Sequence, residues 1–373
     1  MSIESGSHNA VEAERPRESF AVERETLMSP GHPDRNDDAA LGDRARLERE
    51  RKEFPEGILL SDANHDRAVE HFKACAEKEL AAADALDAFG MTGVFDGISG
   101  KPRGAAKFRG AGGLASRTAS AESAAFIAKT MKPDMNAAKS AKVLERALLV
   151  SAQAINDFRG EVTEDGVGKD LYDMVTTGDL VRHVRQPDGG AEVAFAHLGD
   201  SRIYHYDAAE KKIVLITRDH DEALSAMERG EISDAERDLV SRSVDMMDYS
   251  MRLRDHVQGD REKLKDVAGR LNDLMYGGNG LTGAVSVGER KPDSGTFSAK
   301  AGDKVLVMSD GVFGALAESE ILAVLDAGGG AKELVAAAAK KREELTAQLA
   351  KETGDGETPR NAYDDITVAE TVI

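Results

Sequence analysis

The chain has 373 residues, and 49 lysines and arginines against 68 aspartates and glutamates leave a formal net charge of −19. That balance argues against nucleic acid or an anionic membrane as the main partner, since both demand a cationic face, and leaves room only for a local basic patch. A single cysteine, Cys75, excludes an intramolecular disulfide and a Cys-based zinc cluster and points to a reducing compartment.

Residues 1–19 are polar and charged, read as a disordered tail, and hold no apolar run of signal-peptide length. No stretch of ~18 apolar residues occurs further on, so no membrane insertion is expected. Phe20 to Met28 alternates loosely and predicts a first strand. Residues 43–56 are so dense in charge that they predict a solvated helix or a mobile loop, and Ile58 to Ser61 a short strand. Asp66 to Ala88 carries strong helix formers with Val69, Phe72, Cys75 and Ala76 on one face. MTGVFDG predicts a strand running into a tight turn. Residues 100–117 are rich in Gly and Ala and carry five positive charges. Two Ala-rich helices follow, over 119–131 and 137–159. DLVRHVRQ, AEVAFAHLGD, RIYHYD and KIVLIT then alternate or run apolar between turn signals and predict four strands. Residues 219–276 are charged, Met-rich and helical. Strands return in LTGAVSVG, GTFSAKAGD and KVLVMSDG, then two helices, then the strand DDITVAETVI. Strands and helices come in blocks. The fold class expected is therefore α+β, a two-sheet antiparallel β-sandwich flanked by helices.

Aspartates recur at the ends of these strands: Asp37-Asp38, Asp96-Gly97, Asp200, Asp310-Gly311 and Asp364-Asp365. A strand end places a side chain at the rim of a sheet, and several carboxylates at one rim repel unless cations neutralise them. Hard oxygen clusters suit Mg²⁺ or Mn²⁺, and paired metals suit phosphoryl hydrolysis. Any one Asp-Gly pair is also ordinary turn chemistry. The ordered set, each with an apolar strand attached, is what carries the reading.

In their order, RNDDA (35–39), GVFDGISG (93–100), AHLGDSRIYHYD (196–207) running to ITRDH (216–220), VLVMSDGVFGAL (305–316) and DDITV (364–368) resemble the metal-dependent protein phosphatases of type 2C, with bacterial members the nearer likeness. The resemblance spans most of residues 20–373 and implies a single catalytic domain there, with insertions at about 40–92 and 219–279. It implies a binuclear centre of two Mn²⁺ or Mg²⁺ ions. Asp96 would bridge them, Asp310 and Asp365 hold the first, and Asp37 with the Gly97 carbonyl the second. Asp38 would stand behind them, and Asp200 would match the acid of a third, weaker site. The activity implied is hydrolysis of phosphoserine and phosphothreonine in proteins, by in-line attack of a metal-bridging water.

The chain departs from the family pattern in several places. Pro33 stands where the family has a phosphate-gripping arginine, so Arg35, or Arg103 and Arg109 of the cationic stretch 97–121, are the candidates for that grip. Ile98 stands where many members have histidine, Ser99 replaces a glycine, and Gly314 replaces the usual partner of Asp200, which predicts a weak or absent third metal. These losses keep a second reading open, a catalytically inactive regulatory module on the same fold. The expected partner is a phosphorylated protein, and the expected state a cytoplasmic monomer.

Overall fold

Burial on both faces explains the apolar runs of the central strands. The computed structural model describes residues 20–27, 37–54, 62–98, 111–164, 174–241, 246–277, 281–285, 290–353 and 365–373. The tail 1–19, the strand expected at 58–61 and most of the connector 100–117 lie outside the described residues.

Strand β1 is Val22–Leu27 and β2 is Ala39–Ala40, directly after Asp37-Asp38. Helix α1 (Arg44–Glu50) starts where the Asp43 side chain accepts a hydrogen bond from the Arg46 N–H. Helix α2 (Asp62–Ala88) leads to β3 (Met91–Phe95) and the two-residue β4 (Gly97–Ile98). Helices α3 (Ala111–Thr130) and α4 (Ala137–Glu164) follow. Next come β5 (Val175–Thr176), β6 (Gly178–Arg185), β7 (Ala191–Leu198), β8 (Arg202–Asp207) and β9 (Lys212–Leu215). Four helices make the charged segment: α5 (Glu222–Glu228), α6 (Asp234–Ser241), α7 (Met246–His256) and α8 (Arg261–Gly277). The chain continues through β10 (Asp293–Ala299), β11 (Lys304–Met308), α9 (Asp310–Phe313), α10 (Glu318–Asp326), α11 (Ala331–Thr353) and β12 (Ile366–Val372).

One sheet has the order β1-β12-β11-β8-β9, the other β10-β7-β6-β3-β2, and β4 pairs with β5 apart from both. Every pairing is antiparallel. Val94, Val181 and Val193 from one sheet meet Ile203, Val305, Val307 and Ala369 from the other in the layer between them. The alternate residues point outward and are covered by helices. Leu180, Ala194 and Ala196 pack under α2, α3 and α4, and Leu306 and Met308 pack under α9, α10 and α11. A strand buried on both faces reads as a nearly continuous apolar run, which is how KVLVM and AEVAFAHL look in the sequence. The helices α5–α8 close on a small core of their own, built from Leu239, Val240, Tyr249, Leu253, Val267 and Leu271.

The structure corrects several local expectations. The stretch 43–56 is not a solvated helix throughout: Arg46 and Glu50 of α1 are buried. Helix α3 is already formed at Ala111 rather than at 119, through Gly112 and Gly113. Each glycine costs a helix roughly 1 kcal/mol against alanine, and the contact that Gly112 makes explains its place there. Residues 281–285 form isolated bridges, Leu281 with Asp221 and Val285 with Thr176, rather than a ladder. Asp310-Gly311 opens a helical turn rather than a β-turn. Cys75 is a buried packing residue of α2, its thiol pushed up to about 12 mainly by burial.

Candidate metal centre

Five chain segments deliver carboxylates to one rim of the sandwich. Asp37 and Asp38 precede β2, Asp96 lies between β3 and β4, Asp310 follows β11, Asp365 precedes β12 and Asp200 precedes β8. Neighbouring strand ends bring these residues together. The Asp37 N–H donates to Asp365 Oδ2 at 2.6 Å, joining the two sheets across 328 residues of sequence. Asp37, Asp38, Asp96 and Asp365 are each at most 7% exposed.

Close backbone packing sets these positions. A Cβ on Gly97 would collide with the carbonyl oxygens of Asp37 and Gly112. A Cβ on Gly311 would collide with the Asp365 carbonyl. Both glycines therefore allow two acid-bearing segments to touch, which is a packing reason beyond turn chemistry. The Asp96 turn is tied further by the Thr177 hydroxyl, which accepts from the Asp96 N–H at 3.0 Å, and by the Thr176 hydroxyl, which donates to the Asp96 carbonyl at 2.8 Å. Thr177 and Ser201 share a hydroxyl–hydroxyl bond of 2.7 Å, which links this turn to the residue after Asp200. The Thr367 N–H donates to Ser309 Oγ at 2.9 Å and the Ser309 N–H to the Thr367 carbonyl at 3.1 Å, so Asp310 and Asp365 are held side by side.

The electrostatics of the rim are those of crowded anions. The Asp200 carboxyl is pushed well above its ordinary range by burial, then by the charges of Asp310, Asp219 and Asp221. Asp219 has its own counter-ions: Arg202 of β8 at 2.7 Å and Arg237 of α6. By residue type and place, the rim fits hard divalent cations, whose binding relieves this repulsion. Among the described residues no three His, Cys, Asp or Glu side chains stand gathered as a finished ligand group.

All seven ligand candidates from the sequence, Asp37, Asp38, Asp96, Gly97, Asp200, Asp310 and Asp365, are thus brought to one region. The phosphate candidates Arg35, Arg103 and Arg109 lie outside the described residues. Arg117, which shares the cationic stretch, is buried and pairs with Glu50 at 2.9 Å. Sequence reasoning missed Ser116, Arg46, Glu50 and Glu79 behind the acid pair. The spacing of Arg46 and Glu50, one helical turn apart, is the signal that could have found them.

A protein phosphatase 2C family model matches residues 104–351. No curated protein sequence matches the chain. Its structure is similar to that of the serine/threonine phosphatase Stp1 from Staphylococcus aureus, with a TM-score of 0.52 and 15% identity over 95% of each chain. The S. agalactiae serine/threonine phosphatase is also similar, with a TM-score of 0.50 and 18% identity over 95% of this chain and 99% of that one. At these identities the likeness is one of fold. The two-sheet sandwich and the acidic rim define the class as metal-dependent phosphatase. The chain belongs to the protein phosphatase 2C family, and it is a Ser/Thr protein phosphatase.

Proposed function

We propose that the rim binds two divalent cations, Mn²⁺ or Mg²⁺, and hydrolyses phosphoserine and phosphothreonine in cytoplasmic signalling proteins. The observation that carries this reading is the meeting of Asp37, Asp96, Asp310 and Asp365, drawn from both sheets, beside Asp200. Asp96 would bridge the two cations, Asp310 and Asp365 would hold one, and Asp37 with the Gly97 carbonyl would hold the other. Asp38 supports them, and Asp200 marks a third site that is weak or absent. When bound, the cations supply an activated water for attack at phosphorus and offset the charge of the phosphoryl group.

The chain's own residues do the positioning. The Asp37 N–H orients Asp365. The hydroxyls of Thr176 and Thr177 hold the Asp96 turn from both sides. Arg202 and Arg237 pair with Asp219 and so keep its charge occupied beside the rim. Arg35, Arg103 or Arg109 grips the substrate phosphate. In this reading residues 20–373 are one catalytic domain, 40–92 and 219–279 are additions to it, and the protein acts as a monomer.

The direct test is hydrolysis of a phosphothreonine peptide with Mn²⁺, with Mg²⁺ and with excess EDTA after dialysis. Activity is expected with either cation and none with EDTA. Activity undiminished by EDTA would sink the metal reading.

A further inference from the structure

We propose that Ser116 and Arg117 of α3 are positioning residues of the metal centre, acting through the backbone of Asp37 and Asp38. This inference rests on the reading that those two acids serve the cations.

Ser116 Oγ donates to the Asp37 carbonyl at 2.5 Å, and Arg117 Nη1 donates to the Asp38 carbonyl at 2.6 Å. The same run of backbone is gripped further on. Arg46 Nη2 donates to the Ala40 carbonyl at 3.2 Å, Arg24 Nε to the Leu41 carbonyl at 2.7 Å, and the Gly42 N–H to Glu79 Oε1 at 2.7 Å. With Ala39 and Ala40 also paired to Phe95 and Val94 of β3, the segment that carries the acids has little rotational slack.

Arginine at 117 is tied into a closed charge chain. Its Nε and Nη2 donate to one oxygen of Glu50 at 3.1 and 2.9 Å. The other Glu50 oxygen accepts from Arg46 at 2.7 Å, and Arg46 reaches Glu79 at 3.0 Å. Two cations and two anions balance, and all four residues are at most 4% exposed. Burial alone would raise the Glu50 carboxyl, but Arg117 and Arg46 outweigh it and hold it below its ordinary range. A network like this adds little to stability over apolar side chains of the same volume. What it fixes is direction: a guanidinium fork serves Glu50 and the Asp38 carbonyl together, which a lysine ammonium does less well.

The same helix sets the second coordinate. Gly112 of α3 lies against Gly97 so closely that neither has room for a Cβ. Helix α3 therefore touches both the Asp37-Asp38 segment and the Asp96-Gly97 turn, and it fixes the spacing between them.

Mn²⁺ titration calorimetry of the full chain tests this, on the parent, Ser116→Ala and Arg117→Lys, with Arg182→Met as a matched control. Arg182 is also buried and also donates to backbone carbonyls, those of Lys132, Pro133 and Met135, in a different part of the fold. Ser116→Ala and Arg117→Lys are each expected to weaken Mn²⁺ binding by roughly tenfold. Arg182→Met is expected to lower the melting temperature and leave Mn²⁺ affinity at the parental value. The inference is overturned by Mn²⁺ affinity within about twofold of the parent in the folded variants, or by an equal loss in Arg182→Met. Should Arg117→Lys fail to fold, Ser116→Ala decides alone, since it removes one hydroxyl, which accepts from Arg117 Nη1 at 3.0 Å, and no charge. A parent that binds no Mn²⁺ overturns the metal reading and this inference with it. A parent that binds while the variants match it overturns only this inference.

Discussion

Gly97 and Gly311 show why the acids at this rim are inseparable from the small residues beside them. Gly97→Ala would drive a methyl into the Asp37 carbonyl on one side and Gly112 on the other, both backbone atoms with nowhere to go. We expect it to cost about 2–3 kcal/mol in urea denaturation, in the range of overpacking, and to abolish activity. Asp96→Asn should instead leave stability near parental and lower kcat by roughly 10³-fold or more, because a metal site acts as a unit. Near-parental rates for Asp96→Asn would refute its bridging role. The acids were legible in the sequence because each borders an apolar strand. The glycines were legible only as turn formers. Their part in letting two distant segments touch depends on long-range packing, which no local pattern encodes. The place of Arg117 was not legible for the same reason: its partner Glu50 lies 67 positions earlier.

Among the elements, the four helices α5–α8 stand apart in having their own core. They are nonetheless anchored to the rim. Arg237 of α6 and Arg202 of β8 both pair with Asp219, and the Arg202 guanidinium lies 4.0 Å over the ring of Phe313, in the helical turn that Asp310 opens. Trimming residues 236–270 removes Arg237 and should change preference among phosphoproteins more than the rate on a small aryl phosphate. Equal losses on both substrates would mark the unit as structural support. Helical content here was plain from composition. The anchoring was not, because Asp219 and Arg237 are ordinary charges until the fold brings them together. Met227 packs beside this core, while the side chains of Met246, Met247, Met251 and Met275 lie outside the described residues.

For the molecule as a whole, buried histidines make stability fall as the solution turns mildly acidic. Burial is the largest cause holding His71, His183 and His220 down to about 4. An unfolded histidine binds its proton from about pH 6.5 downward, whereas these bind only near 4 in the fold. Their stabilisation is therefore complete above pH 6.5 and is lost as pH falls toward 4. His197 runs the other way. Burial lowers it, but the neighbouring Asp179 carboxylate prevails and raises it, so its contribution fades as pH rises. His183, 4% exposed, should account for about 2 kcal/mol of the stability lost between pH 7.5 and 5. Denaturant titrations at those two pH values should show His183→Gln losing less stability than the parent by about that amount; equal losses would refute the assignment. The two-sheet architecture itself was readable from the blocks of strands, since strands covered on both faces leave nearly continuous apolar runs. Strand order was not, and strand order has a kinetic meaning. Strand β12 lies between β1 and β11, and Asp365 just before it reaches Asp37 across 328 positions. During synthesis, β1 and the Asp37 half of the rim must wait until Asp365 and β12, 328 positions after Asp37, have emerged. Loop closure over that span is slow. Until β12 arrives, the facing edges of β1 and β11 lie open to other strands. While a chain lacks β12, then, the two halves of the acidic rim stay apart and the open edges of β1 and β11 are its main exposure to aggregation.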